Sequence, residues 1–291
     1  MSKTLTAVLA GIAYVIFTPL LGGLLTGLDR KITAHVQRRK GPPVLQPFYD
    51  VFKLLGKENA SINSAQDFYV GIFLLFTILS GIFFFTGGDI LMVMLTATLA
   101  GVCLVVAAYS SNSPFSQMGA ERELMQDMSY EPMLLVTAIG FYLVTGSFRV
   151  EKIISGPRVN IAFLPGIFIG LCFALIIKFR KSPFDISMSH EAHQEIVQGV
   201  VTEFSGPMLA MVQLAHWYEN VVLFGIVALF FVWDAPWSFL LGLACCAGVF
   251  ILGIVIDNSC ARVKWQHMLR SSWIMTLAAG CVNLLVLMAM R

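Results

Sequence analysis

Long uncharged stretches alternate with short charged ones along this chain. Seven stretches without a charged side chain cover residues 5–28, 68–88, 90–109, 132–148, 159–177, 235–256 and 271–290. An eighth, 204–233, is interrupted only by Glu219. A helix needs about 20 apolar residues to cross the hydrocarbon of a bilayer, within a range of about 17–25. The pattern predicts an all-α polytopic membrane protein, a bundle of about eight transmembrane helices. The eighth stretch could hold one tilted or broken helix or two short elements, and one crossing is the expectation. No connecting segment is long enough for a domain of its own, so residues 1–291 form a single integral-membrane unit.

The polar connections differ from one another. Residues 29–67, 110–131, 178–203 and 257–270 carry 7, 1, 3 and 3 Lys and Arg residues, against 5 for the opposite connections and both termini. The tendency of basic loops to stay inside places these four loops in the cytoplasm and both termini outside. Splitting 204–233 into two full crossings would put the last basic loop on the wrong side. The first run, after one Lys, is too long for a secretion signal and is expected to remain as the first span.

The loop of residues 29–67 holds a second pattern. Arg38, Arg39 and Lys40 precede Gly41-Pro42-Pro43, a helix stop. Leu45, Phe48, Val51, Phe52, Leu54 and Leu55 then recur at helical spacing, with Asp50, Lys53 and Lys57 between them. This predicts an amphipathic helix lying at the membrane interface. The basic residues either anchor a helix end to lipid headgroups or form a corner that docks a soluble partner. Three prolines stiffen the loop and it is the most basic part of the chain, which favours docking.

Composition narrows the class. The chain is 57% hydrophobic and 12% charged, with mean hydropathy +0.80, whereas soluble domains hold about 25% charged residues. No basic patch interleaved with aromatics points to nucleic acid. The six cysteines fall mostly in apolar runs and none forms a CxxC pair, so they read as buried thiols, and neither a metal nor another cofactor is expected in this chain.

The scarce acids are concentrated. Glu123, Asp127 and Glu131 stand four residues apart, as do Glu191, Glu195 and Glu203 with Gly199 filling one step. On a helix each set makes a slowly drifting stripe, and like charges at that spacing repel. Carboxylates drawn below the headgroups would exchange protons near neutral pH and form a relay. Solvated loop positions are the plainer account, and it weighs more for Glu121, Asp127 and Glu151 than for Glu131, Glu195 and Glu203, which run into apolar helices. Glu131 could equally cap the helix opening at Pro132. His190 and His193 stand beside Glu191 and Glu195 and suit proton transfer; no third metal ligand at metal-site spacing accompanies them. Glu219, inside a span, needs a partner, and His216 three residues earlier is the local one.

Three stretches resemble one family. RRKGPPVLQPFYDVFKLLGKE, GAERELMQDMSYEPMLL and KSPFDISMSHEAHQEIVQGVVTEFSG resemble the cytoplasmic loops of the quinone-site membrane subunit of respiratory complex I, the NADH dehydrogenase subunit 1 family. Within that superfamily the chain is similar to the membrane subunit of energy-converting, group 4 [NiFe] hydrogenases, through its short Gly-Pro-Pro loop and the His-containing SMSHEAHQE segment. Lys178 stands where complex I members carry an acid, and His193 where they carry a glutamate.

The resemblance implies a non-catalytic subunit in a prokaryotic cell membrane. It would couple ferredoxin-linked proton reduction or hydrogen oxidation in a soluble arm to H+ or Na+ translocation. The implied partners are the soluble hydrogenase large and small subunits, a ferredoxin-like iron–sulfur subunit, an antiporter-like membrane subunit, ferredoxin as electron donor and membrane lipid. The [NiFe] centre and iron–sulfur clusters would lie in those partners. Glu131, Asp185, Glu191, Glu195 and Glu203 would form the ion path, with Glu123, Asp127, Lys178, His190, His193 and Glu219 beside them. Arg38, Arg39, Lys40, Asp50 and Lys53 would face the soluble arm. The alternatives are a complex I subunit contributing to a quinone site, a stand-alone secondary ion transporter and a purely structural anchor.

Overall fold

A computed structural model describes residues 3–59, 63–188 and 198–290. The described chain is helical: α1 Lys3–Val36, α2 Gln46–Leu55, α3 Ser64–Phe85, α4 Ile90–Tyr109, α5 Pro114–Thr145, α6 Val150–Ile154, α7 Pro165–Lys178, α8 Gly206–Ala228, α9 Ser238–Ser259, α10 Trp265–Met275 and α11 Val282–Ala289. Helices α10 and α11 join through a π-helical turn, Thr276–Cys281, into one element. Among the described residues, six helices are long and apolar enough to cross a membrane: α1, α3, α4, α5, α9 and the joined α10–α11. Helix α8 spans 23 residues but carries Gln213, His216, Glu219 and Asn220 in its middle.

Helix α7 covers only 14 residues of the uncharged stretch 159–177. At 1.5 Å per residue that is about 21 Å, short of the roughly 30 Å hydrocarbon thickness. Pro165 sets its start. The chain before it is irregular, and such backbone survives at membrane depth only where protein satisfies it. Here Ile161 N–H donates to the Phe230 carbonyl at 3.0 Å, and the buried Asn160 side chain donates to the Leu229 carbonyl at 2.8 Å.

Helix α5 corrects an expectation. Residues 110–131 read as a loop, yet the helix runs from Pro114 through Pro132 without a break. Pro132 removes one backbone donor, and a neighbouring helix supplies support. The carbonyl left without that donor is that of Met128, four residues back. One residue on, Ser272 Oγ donates to the Ser129 carbonyl at 2.5 Å, a side-chain bond beside the proline of the kind that helps transmembrane helices keep one. Glu131 is therefore deep in a helix, not at a helix start, so the capping role for it falls away.

Helix α2 is the amphipathic interfacial helix. Pro47 and Val51 are buried, and Phe48 packs edge-on against Trp217 of α8 at 5.4 Å between ring centroids. Leu45, Tyr49 and Phe52 lie on its exposed side. The core sits around α5, α7 and α8, where Phe141, Leu171, Leu175 and Phe230 are fully enclosed. Helices α9 and α10–α11 lie at the rim, with outward Leu240, Leu243, Leu277 and Leu285.

One crossing positions the loop after α7. A Cβ on Gly119 of α5 would overlap the backbone of Gly199 and Val200, and Gly199 itself has φ +43°. Only glycine at both places lets the loop lie directly on α5.

Candidate functional site

The middle of α5 faces the C-terminal end of α7 and the middle of α8, and six ionisable side chains meet there with a tyrosine. Arg180, just past α7, holds Glu123 with two guanidinium nitrogens. The same guanidinium reaches His216 Nε2 at 3.1 Å, and His216 Nδ1 lies 3.3 Å from Glu219 Oε2. A neutral imidazole with its proton on Nδ1 satisfies both contacts, accepting from Arg180 and donating to Glu219. Lys178 Nζ is 2.6 Å from Glu219 Oε1 and donates to the Tyr130 hydroxyl at 2.5 Å. The Tyr130 hydroxyl in turn donates to Asp127 Oδ1. The contacts form one unbroken chain: Glu123, Arg180, His216, Glu219, Lys178, Tyr130, Asp127.

Burial makes this arrangement consequential. Glu123 is 3% exposed and Asp127 7%. Buried charges survive only when paired, because removal from water costs several kcal/mol per ion. With His216 neutral, three acids face two fixed cations here, so the group carries one negative charge in excess and can accommodate one proton. Asp127 lies against α4, where a Cβ on Gly101 would come within 3.0 Å of Oδ2.

A cavity of about 630 Å³ leads to this chain. Lys178, Arg180, His216 and Glu219 line its inner wall, and Asp29 and Arg30 of α1, Asp185 and Asp257 line it as well. Those outer residues are tied down. Lys181 Nζ donates to Asp29 Oδ1 at 2.6 Å, Arg262 binds Asp185, and Asp257 Oδ1 accepts the Ser182 N–H at 2.8 Å. Burial pushes the Asp185 carboxyl up, against the pull of Arg262. Among the described residues no group of three or more His, Cys, Asp or Glu side chains could hold a metal ion.

Of the acids and bases singled out in the sequence, the structure brings together Glu123, Asp127, Lys178, Glu219 and His216, the last as the local partner of Glu219. Asp127, for which a solvated loop carried weight, is buried instead because α5 extends past Pro132. Glu131 and Glu203 are half-buried and stand outside the chain of contacts. His190, Glu191, His193 and Glu195 lie outside the described residues. Arg38, Arg39, Lys40 and Lys53 are exposed. Asp50 is engaged by Arg30 at 2.7 Å and by Gln46 at 3.0 Å. Burial works to raise the Asp50 carboxyl, but these bonds outweigh it and hold it low. Arg180 and Tyr130 went unnoticed in the sequence. Arg180 sits two residues from Lys178 in a short basic run and nothing in its spacing marks it; Tyr130 stands three residues after Asp127, a helical contact spacing, but residues 110–131 read as a loop.

Helices at membrane length around a buried, charged and cavity-linked centre define a class: a polytopic membrane subunit with ionisable groups held inside the bundle. The chain belongs to the NADH dehydrogenase family, whose model matches residues 9–288. It is 27% identical to hydrogenase-4 component C of Escherichia coli over 92% of each chain. It is also 27% identical to formate hydrogenlyase subunit 4 of the same organism, over 86% of this chain and 89% of that one. A subunit of the NADH-quinone oxidoreductase of Dehalococcoides mccartyi is 25% identical over 90% of this chain and 80% of its own. The fold resembles a chain of the membrane-bound sulfane sulfur reductase, an archaeal respiratory membrane complex, with a TM-score of 0.85 at 23% identity, covering 99% of this chain and 100% of that one. The protein is thus a multi-pass membrane subunit of a complex I-like oxidoreductase assembly.

Proposed function

We propose that this chain anchors the soluble arm of an energy-converting [NiFe] hydrogenase and carries the first part of its ion path. The observation behind the reading is the unbroken contact from Glu123 to Asp127 at the inner end of the 630 Å³ cavity. The partners would be the hydrogenase large and small subunits, a ferredoxin-like iron–sulfur subunit and an antiporter-like membrane subunit, with ferredoxin as the electron donor. The nickel–iron centre and the clusters would belong to those subunits, and ferredoxin-linked proton reduction or hydrogen oxidation would occur there. Charge or movement against the cytoplasmic loops would shift the balance of the Arg180, Lys178 and acid contacts, and a proton, or Na+ in its place, would advance along them. Moving one charge against about 100 mV costs about 2.3 kcal/mol, equivalent to about 1.7 pH units in one group's proton affinity. Breaking a single buried ion pair is worth that much. Both termini would lie outside the cytoplasm.

The test uses the whole complex in sealed vesicles, with hydrogen turnover and internal pH followed together. Glu123→Gln and Glu219→Gln should each lower the protons moved per electron pair at least tenfold, and Glu131→Gln and Glu203→Gln ask whether the half-buried acids share the path. Unchanged coupling in all four variants overturns the reading.

One observation favours a second reading. The cavity runs past Pro47 and Asp185, where a complex I subunit would admit a quinone. Nickel in the purified complex supports the hydrogenase; turnover inhibited by quinone analogues supports the alternative.

A further inference from the structure

A second, smaller cavity of about 30 Å³ lies between α3, α4, α5 and α8. Its lining and that of the large cavity share two residues, Lys178 and Glu219. The ion pair between them, closed at 2.6 Å, is therefore the wall between the two spaces. Beyond it the lining is apolar apart from Tyr130 and three hydroxyls, Thr77, Ser80 and Thr98. Each hydroxyl already donates to a main-chain carbonyl: Thr77 to Phe73 at 2.8 Å, Ser80 to Val93 at 3.1 Å and Thr98 to Leu95 at 3.0 Å. Their oxygens remain as acceptors. Thr77 and Ser80 are buried, whereas Thr98 is half-buried beside the exposed Leu95, Leu99 and Val102 of α4. A water needs about 10–15 Å³ of such space and two or more polar partners, so the cavity has room for about two.

We propose that the Lys178–Glu219 pair is the gate of the ion path, and that the hydroxyl-lined cavity behind it carries the proton onward to the α3–α4 side of the bundle. The inference rests on the buried network being an ion path. Closed, the pair leaves no neutral route between the cavities. A proton reaching Glu219 from the large cavity neutralises the carboxylate and frees the Lys178 ammonium. The ammonium passes one proton to water among Thr77, Ser80 and Thr98, and the neutral amine then takes the proton from Glu219. The pair re-forms, and one proton has entered on one side for one released on the other. This gives Lys178 a task that an acid at that position could not perform alone, since only a cation can lock Glu219 between turnovers.

The experiment uses the complete complex in sealed vesicles with two readouts. For the onward route, Ser80→Ala combined with Thr98→Val removes two hydroxyls with little change in volume. The protons moved per electron pair should fall at least tenfold, whereas Thr96→Val, whose hydroxyl donates to Met92 at 2.7 Å and lines neither cavity, should keep the wild-type ratio. For the gate, Lys178→Met should let an imposed pH gradient collapse several-fold faster without redox substrate. The double variant Lys178→Met with Glu219→Gln removes both charges of the pair and, if the single variant does not assemble, serves by its coupling, which should fall at least tenfold. Wild-type coupling without the Ser80 and Thr98 hydroxyls or without the pair, or tight vesicles with Lys178→Met alone, overturns the inference. If Glu123→Gln, Glu219→Gln, Glu131→Gln and Glu203→Gln also all couple normally, the underlying path falls with it; if Glu123→Gln uncouples, only the gate and its exit do.

Discussion

Arg180 is the cation that holds Glu123, and it links that acid to Glu219, which Lys178 also binds. It binds Glu123 directly and reaches Glu219 through His216, a geometry that needs a planar fork and not a point charge. Arg180→Ala leaves Glu123 buried without its cation, a change of about 3–5 kcal/mol where such pairs are broken from one side. The melting temperature in detergent should fall clearly, and adding Glu123→Gln should recover part of the loss; equal melting of the single and double variants would show that the two side chains are not coupled. Gln66 presents the opposite case. It is fully buried in the first turn of α3, and both polar atoms of its side chain lack hydrogen-bond partners. Replacing a buried, unbonded amide by an apolar group of similar size is close to neutral or stabilising, so Gln66→Leu should hold or raise the melting temperature. A fall would reveal a polar contact that this conformation does not contain.

At the scale of elements, the irregular entry to α7 depends on Asn160. Its side-chain bond to the Leu229 carbonyl ties the segment before α7 to the end of α8. Asn160→Ala removes that bond inside the bundle and should cost about 1–3 kcal/mol, measurable as a shift in urea or thermal unfolding in detergent. The contact of α5 with the loop after α7 is equally local. Gly119→Ala places a methyl against the backbone of Gly199 and Val200, where no flexible side chain can give way. The backbone at Gly199 and Val200 must lift from α5, so that variant should assemble poorly or gain protease sensitivity near residues 198–201, while Gly71→Ala, with open space around it, should behave as wild type. The first of these elements was hidden in the sequence because an uncharged stretch reports apolarity and not where a helix starts. The second was hidden because a glycine does not say which backbone approaches it.

At the scale of the molecule, the two faces of the bundle differ in what they present. The loops after α1 and α7 and the end of α9 carry basic residues, and the proposed orientation, which follows the inward-positive tendency, would put them in the cytoplasm. Cys260 at the end of α9 is exposed, while the other five cysteines are at least half-buried. A membrane-impermeant maleimide should therefore label Cys260 in inverted vesicles and not in right-side-out ones. Labelling from the outer side would reverse the orientation and put the mouth of the large cavity on the other face. The spread of burial follows the same architecture: α5 is half-enclosed along its apolar window, whereas the joined α10–α11 element is only 17% buried and turns its leucines outward.

The sequence alone determined that the chain is a bundle of membrane helices, because hydrocarbon admits only long runs of uncharged side chains and the chain has them in order. It also located the amphipathic α2 and the acidic stripe on α5, since both are periodicities of a single helix. It could not say which members of the stripe matter. Each step of four residues turns about 40° around a helix, so Glu123 meets Arg180 beyond α7, Asp127 lies against α4 and Glu131 has rotated out of the chain of contacts. It could not show that α5 runs through Pro132, because the support comes from Ser272, 143 residues away. Only the tertiary structure brought Arg180, Tyr130, Lys178, His216 and Glu219 into one chain of contacts. The His216–Glu219 contact follows from three residues' spacing on one helix, but pairing across helices is fixed by distances that leave no trace in linear spacing.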